Sequence, residues 1–270
     1  MKHRYAVLGA IAIGLMVCFL LVGRVRATEP SAGEPPPGTW VPAIGSTWQY
    51  QLEGRIDTSV DADIFDVDLF TTPRSVIADL HHRGRRVLCY MSAGTWEPYR
   101  PDAGRFPAAV KGGAVDGWPD ERWLDVRRMD LLKPLMRARL DRCAAKGFDG
   151  VEFDWVDGHA QDTGFAITRA DQLRYDRWLA RAAHARGLAV ALKNGGGLVR
   201  DLVGDWDLAV TEECVQYREC WRFRPFLDAG KPVLDAEYAL PTGAFCERAA
   251  AAGVTAIRKR LRLDAWRASC

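Results

Sequence analysis

The chain has 270 residues, 48% of them apolar and 27% charged, with 37 Lys and Arg against 35 Asp and Glu. The first 27 residues hold four of the basic residues and none of the acidic ones, so the remainder carries a formal charge of −2, which argues against a nucleic-acid footprint. A remainder of about 240 residues with that apolar share suits one large α/β domain better than two small ones.

In chain order the first feature is Lys2-His3-Arg4, then an uncharged run from Ala6 to Gly23, then Arg24-Val25-Arg26-Ala27. This is the pattern of an export signal over residues 1–27, with Val25 and Ala27 as the small residues before cleavage; the apolar run also reaches the lower edge of membrane-spanning length, so an uncleaved anchor is the alternative. Membrane contact is expected only in that second case, and either way the protein is expected to be secreted or extracytoplasmic. A lipoprotein reading through Cys18 is weaker, because Met16 and Val17 stand where small residues belong. Residues 28–45 read as a Pro/Gly-rich linker, and 46–270 as the folded domain.

Within that domain, eight apolar runs bounded by turn residues read as strands: Thr47–Leu52, Ala62–Leu69, Arg86–Met91, Gly150–Trp155, Leu188–Leu192, Leu208–Thr211, Pro232–Ala236 and Thr255–Arg258. Between most of them lie helical patterns that stop at glycine: Pro73–Arg83 at Gly84, Asp130–Lys146 at Gly147, Arg169–Arg186 at Gly187, Pro225–Ala229 at Gly230, and Thr242–Ala252 at Gly253. Eight strands alternating with helices predict a single-domain α/β fold, a (β/α)8 TIM barrel, with an open doubly wound sheet as runner-up. Gly195–Gly197 lacks the Gly-Lys-Ser/Thr ending of a phosphate cradle, no dinucleotide fingerprint follows the first strands, and no cofactor is expected.

If the barrel forms, the strand ends define its mouth. They are Asp66 and Asp68, Ser92 and Ala93, Asp154 and Asp157, Lys193 and Asn194, Glu212 and Glu213, and Glu237 and Tyr238. Strand alternation puts Glu152, Asp154 and Val156 on one face and Val151, Phe153 and Trp155 on the other, and carboxylates on a strand face are costly to bury without a purpose. Lys193 is the main positive charge in this acidic set, either neutralising it or meeting substrate. Two strands ending in carboxylates suit cleavage of a glycosidic bond, one acid protonating and the other attacking or activating water. The longest insertion, Gly94 to Met129, carries Trp96, Tyr99, Trp118 and Trp123, rings able either to stack on sugars or to anchor the loop.

Six cysteines follow the signal: Cys89, Cys143, Cys214, Cys220, Cys246 and Cys270. In an exported chain some should pair, and Cys214 with Cys220 is the closest spacing, though the connectivity stays open. No Cys-x-x-Cys or His-x-x-x-His spacing occurs, so no metal site is expected; a divalent ion on Glu152, Asp154 and His159 is the minor alternative.

Five ordered runs then bear on family. They are Gly-Arg-Arg-Val-Leu-Cys-Tyr-Met-Ser-Ala-Gly-Thr-Trp-Glu (84–97), Gly-Trp-Pro-Asp-Glu-Arg-Trp-Leu-Asp-Val (117–126), Lys-Gly-Phe-Asp-Gly-Val-Glu-Phe-Asp-Trp-Val-Asp-Gly (146–158), Ala-Leu-Lys-Asn (191–194) and Thr-Glu-Glu-Cys-Val-Gln-Tyr-Arg-Glu-Cys (211–220). With them the chain resembles glycoside hydrolase family 114 over residues 47–240, barrel enzymes that include endo-α-1,4-polygalactosaminidases. The resemblance implies a catalytic pair at Asp154 and Glu212, with Glu213 the lesser alternative, and an α-linked amino-sugar polysaccharide as partner. Taken from the strand ends, the insertion and these runs, Asp66, Asp68, Tyr90, Trp96, Trp123, Asp125, Glu152, Asp157, Lys193, Asn194, Glu213 and Glu237 are the residues expected to meet substrate. The family typically reads Glu-Pro-Asp-Asn-Val-Asp-Gly-Tyr where this chain has Phe153, Trp155 and His159, a departure that touches substrate contacts and leaves the acids in place. The function expected is hydrolysis of an internal α-1,4 bond in a galactosamine polymer, with a non-catalytic carbohydrate-binding barrel or a metal-dependent hydrolase as alternatives.

Overall fold

The eight apolar runs form eight parallel strands. In the computed structural model, which describes residues 38–270, these are β1 (Trp48–Gln51), β2 (Ile64–Asp68), β3 (Arg86–Ser92) and, beyond an insertion holding β4 (Thr95–Trp96), β5 (Lys111–Val115) and β6 (Trp118–Leu124), β7 (Gly150–Asp154), β8 (Ala189–Lys193), β9 (Leu208–Glu212), β10 (Val233–Glu237) and β11 (Thr255–Arg258). The expected signal at 1–27 lies outside the described residues. Hydrogen-bonded ladders join the eight in chain order, skipping the insertion, and a short β12 (Ala268–Ser269) adds antiparallel to β11.

The helices are α1 (Arg74–His82), α2 (Met129–Lys146), α3 (Arg169–His184), α4 (Val199–Leu202), α5 (Arg224–Asp228) and α6 (Thr242–Ala252). Two of the eight βα units are incomplete. The connection from β1 to β2 and the segment after β11 carry no helix, and α4 is a single turn that the glycine punctuation did not reveal. Helix ends follow the local chemistry: Thr168 and Asp171 close a reciprocal capping box at the start of α3, and Gly147 at φ +93° turns the chain off α2.

Alternation along the strands separates two apolar layers. Trp48, Tyr50, Ile64, Leu88, Leu208, Val210, Leu234 and Ile257 pack on one another inside the barrel, while Val67, Cys89, Val151, Phe153, Leu192 and Ala209 face the helices. No ladder joins β1 to β11 among the described residues; side chains and the C-terminal segment close that seam. Trp48 Nε1 donates to Thr255 O at 3.1 Å, and the buried Lys259 Nζ donates to Gln49 Oε1, Asp264 O and Trp266 O at 3.2, 2.7 and 2.7 Å. Burial among neutral oxygens pulls the Lys259 pKa down to about 8.

Three disulfides fasten the frame. Cys89–Cys143 ties β3 to α2, Cys214–Cys220 clamps the loop after β9, and Cys246–Cys270 ties α6 to the C-terminal residue. Such bonds persist in an oxidising compartment. Among the described residues no helix is long and apolar enough to cross a membrane.

Candidate active site

The site grows from the carboxyl ends of β7, β8 and β9. On β7 the inward positions are Glu152 and Asp154, in register with Tyr90 and Ser92 of β3, while Val151 and Phe153 enter the outer layer. Glu212 shares its face of β9 with Leu208 and Val210, and that face is the lumen. Between them rises Lys193 of β8, only 3% exposed.

Lys193 is the hub. Its Nζ stands 3.1 Å from Glu212 Oε2, 3.5 Å from Asp154 Oδ1 and 3.8 Å from Glu152 Oε1, and it donates to the Tyr50 hydroxyl at 3.2 Å. Burial alone would discharge the amine, but the charges of Asp154, Glu212 and Glu152 outweigh it and hold Lys193 well above its ordinary range. The same pairing decides Glu212. Burial pushes its carboxyl up, and Lys193, the Tyr238 hydroxyl and the Asn194 amide together hold it below the usual carboxylate range. Asn194 both donates from Nδ2 to Glu212 Oε2 and accepts from the Glu212 backbone N–H, each at 3.0 Å, which fixes carboxylate and strand end together. Tyr238 donates to the other oxygen of Glu212. Asp154 receives the Tyr90 hydroxyl at 2.9 Å and the Trp155 N–H at 2.9 Å.

Beneath this layer two acids face each other out of reach of solvent. Asp66 and Glu152 are both 0% exposed, and both Asp66 oxygens and Glu152 Oε2 lack a hydrogen-bond partner. Burial raises both: Asp66 to about 7, against the lowering pull of Glu152 and Lys193, and Glu152 well above its ordinary value, with the Asp66 charge adding to the rise. A pair of adjacent buried carboxyls cannot both ionise cheaply, so it retains a proton near neutrality.

The rim is locally strained. Trp155, Asn194 and Glu213 all take positive φ, at +60°, +51° and +54°. Trp155 is held there by its N–H on Asp154, by an edge-on contact with Trp123 at 5.1 Å, and by the packing of its carbonyl against Gly94, where an added Cβ would stand 1.7 Å from that oxygen. An asparagine tolerates the left-handed region readily and a tryptophan does not; the residues around Trp155 supply what its own conformational preference withholds.

The structure gathers Asp154, Glu212, Glu152, Asp66, Lys193, Asn194 and Tyr90 into one connected group. The other residues expected at the site stand outside that group. Asp68 accepts from the Phe70 and Thr71 N–H groups at 2.8 Å each and pairs with Arg100. Asp125 is gripped by Arg127 at 2.7 and 2.9 Å, Trp96 donates from its indole to Ala103 O at 3.0 Å, and Trp123 is buried against Trp155. Glu237 points off the lumen, accepting from the Val215 and Gln216 N–H groups at 2.8 and 3.2 Å. Asp157 and Glu213 stay half-buried on the rim, both pushed up by burial. Glu152, Asp154 and His159 do not form a metal-holding cluster, and no group of three such ligands occurs among the described residues.

Two contributors escaped the sequence. Tyr50 is one apolar-looking position in the first strand, and Glu121 lies on the β6 arm of the insertion hairpin, where Thr95 Oγ1 and the Tyr99 hydroxyl donate to it at 2.9 and 2.8 Å. Thr95 Oγ1 also meets Ser92 Oγ at 2.6 Å, and Ser92 is in register with Asp154, so the hairpin brings Glu121 towards the mouth, where burial and the charges of Glu97 and Asp154 raise it. Only the fold of the hairpin brings it there.

The profile of glycoside-hydrolase family GH114 matches residues 29–270. The chain belongs to glycoside hydrolase family 114. A crystal structure of Aspergillus fumigatus Ega3 in complex with galactosamine superposes with a TM-score of 0.81 at 38% identity, covering 86% of this chain and 97% of that one. The glycoside hydrolase domain of PelA from Pseudomonas aeruginosa shares the fold at a TM-score of 0.70 and 16% identity, over 83% and 98% of the two chains. An uncharacterized protein of Deinococcus radiodurans is 29% identical over 273 residues, 86% of each chain. As a family 114 member the protein is a glycoside hydrolase, and the described residues form one barrel domain.

Proposed function

We propose that the protein is an extracellular endo-hydrolase of α-1,4-linked, galactosamine-containing polysaccharide, with Asp154 and Glu212 as the reacting pair. The observation that carries this reading is the single lysine between them. Because Lys193 Nζ lies 3.5 Å from an Asp154 oxygen and 3.1 Å from a Glu212 oxygen, those two oxygens are no farther apart than the two distances end to end. That ceiling sits at the lower edge of the ~6.5–9.5 Å separation of inverting enzymes and leaves room for the ~5–5.5 Å of retaining ones. Within that ceiling we propose a retaining mechanism, which the anomeric outcome tests. One acid attacks C1 and the other gives its proton to the leaving oxygen, then takes a proton from the water that releases the glycosyl-enzyme.

Both groups are reachable, with side-chain exposures of 12% for Asp154 and 26% for Glu212. Charge supports the substrate class: Asp157, Glu121, Glu213 and the reacting pair line the mouth with acids, which favours a polymer bearing free amines. The galactosamine bound by Ega3, at 38% identity, supports the same sugar here. Three disulfides fit an extracellular site of action.

The test is incubation with partially de-N-acetylated α-1,4-galactosamine polymer, following reducing ends and product sizes. Early accumulation of mid-length oligomers with retained anomeric configuration is expected. Firm binding with no new reducing ends would instead make the barrel a carbohydrate-binding module.

A further inference from the structure

The loop that leaves β9 is held far more firmly than its surface position requires. Beyond Glu213 the Cys214–Cys220 disulfide closes it. From below, two fully buried acids of β10 accept its backbone: Asp235 takes the Cys214 N–H at 3.2 Å, and Glu237 takes those of Val215 and Gln216. From the side, Arg248 donates to Val215 O at 2.6 Å. What this frame presents outward is aromatic. Tyr217 and Trp221 are 64% and 66% exposed, although large rings normally gain by burial. Arg222 pairs with Glu219 at 3.2 Å, stacks its guanidinium 5.1 Å from the Trp221 ring centre, and lays its stem along Gly196, where an added Cβ would stand 2.8 Å from Arg222 Cδ. Gly196 is three residues past Lys193, so the frame is pinned to the same strand end that carries the site's cation.

We propose that Tyr217 and Trp221 form a stacking subsite for a pyranose ring of the polymer lying beyond the bond being cut. This rests on the hydrolase reading above. A galacto-configured ring has an axial 4-oxygen, here the one that carries the chain, which leaves the C3, C4 and C5 hydrogens together on the opposite face. That apolar, weakly positive face matches the electron-rich face of an indole or phenol, and a protonated 2-amine adds cation–π attraction. A fixed platform holds an extended chain without ordering a loop at the moment of binding. The subsite therefore acts on long substrate and hardly on a fragment too short to reach it.

Kinetics of Trp221→Ala and Tyr217→Ala on long polymer and on the shortest oligomer that the wild type cleaves will decide this. For Trp221→Ala the rise in KM on polymer should exceed that on the oligomer at least tenfold, kcat should move little in comparison, and Trp221→Phe should restore most of the loss. Equal losses on both substrates would make the ring a support for Glu212, and an unchanged polymer KM in both alanine variants would remove the subsite. Polymer binding, read by intrinsic tryptophan fluorescence and by co-sedimentation, separates this from the hydrolase reading. A wild type that binds polymer through Trp221 without cleaving it overturns hydrolysis and keeps the subsite, whereas undiminished binding by both variants overturns the subsite whatever the catalytic result.

Discussion

Two strands carry the same pattern of acids two residues apart and put it to opposite uses. On β7, Glu152 and Asp154 turn into the lumen and meet Lys193; on β10, Asp235 and Glu237 turn outward and hold the backbone of the loop after β9. The inward pair has a cation, and its outer member, Asp154, an opening to solvent. The outward pair has backbone N–H groups and none, with both residues 0% exposed, and burial and Glu237 raise Asp235 well above its ordinary value. Identical spacing thus yields the proposed reactive site on one face of a strand and a bracket for a loop on the other, because the side-chain period of two makes face the deciding variable.

The sharpest way to break this comparison is at the carboxylate ending the neighbouring strand. Glu212→Gln should lower turnover roughly 10²–10⁴-fold with the melting temperature little changed, whereas Glu213→Gln, whose backbone is turned away at φ +54°, should keep most of the activity. Initial rates of reducing-end release will show which. Next comes Lys193→Met, which strands three carboxylates without their cation; removing one partner of a buried charge pair costs about 3–5 kcal/mol, so chemical denaturation should show a large fall in stability together with lost activity.

On the outward side the effect is smaller and of a different kind. Glu237→Leu leaves two N–H groups without an acceptor and should cost about 1–3 kcal/mol, with residual hydrolysis readily measured in the folded protein. The smallest effect concerns the acids below the site. Asp66 and Glu152 bind protons in the fold that an unfolded chain releases near pH 4, so between about 4 and 7 the folded state holds more protons and stability falls as pH rises. Asp66→Asn should flatten that slope in melts taken at pH 4.5, 5.5 and 6.5.

Much of this was legible in the amino-acid order, for physical reasons. Strand positions followed from apolar runs, and helix ends from glycines such as Gly147 and Gly253 that accept the left-handed turn. Asp154, Lys193 and Asn194 could be named because a barrel gathers strand ends on one rim. Glu237 could not be separated from Glu212 by pattern, since each closes an apolar strand, and only the register fixes which face is the lumen. Glu121 and Tyr50 depend on distant pairing, of a hairpin in one case and of the barrel seam in the other. Asp68 and Asp125 stand at plausible positions, but neighbouring backbone and the arginines Arg100 and Arg127 occupy their oxygens. Trp155 reads as a lost polar contact in sequence and in the structure is a strained residue locked by Gly94 and Trp123.

The most direct test is the rate of reducing-end release from α-1,4-galactosamine polymer by Asp154→Asn beside Asp235→Asn, each checked for an unchanged fold by circular dichroism. The arrangement around Lys193 predicts a near-silent Asp154 variant and an active Asp235 variant; an Asp154→Asn protein that turns over at the wild-type rate would contradict it.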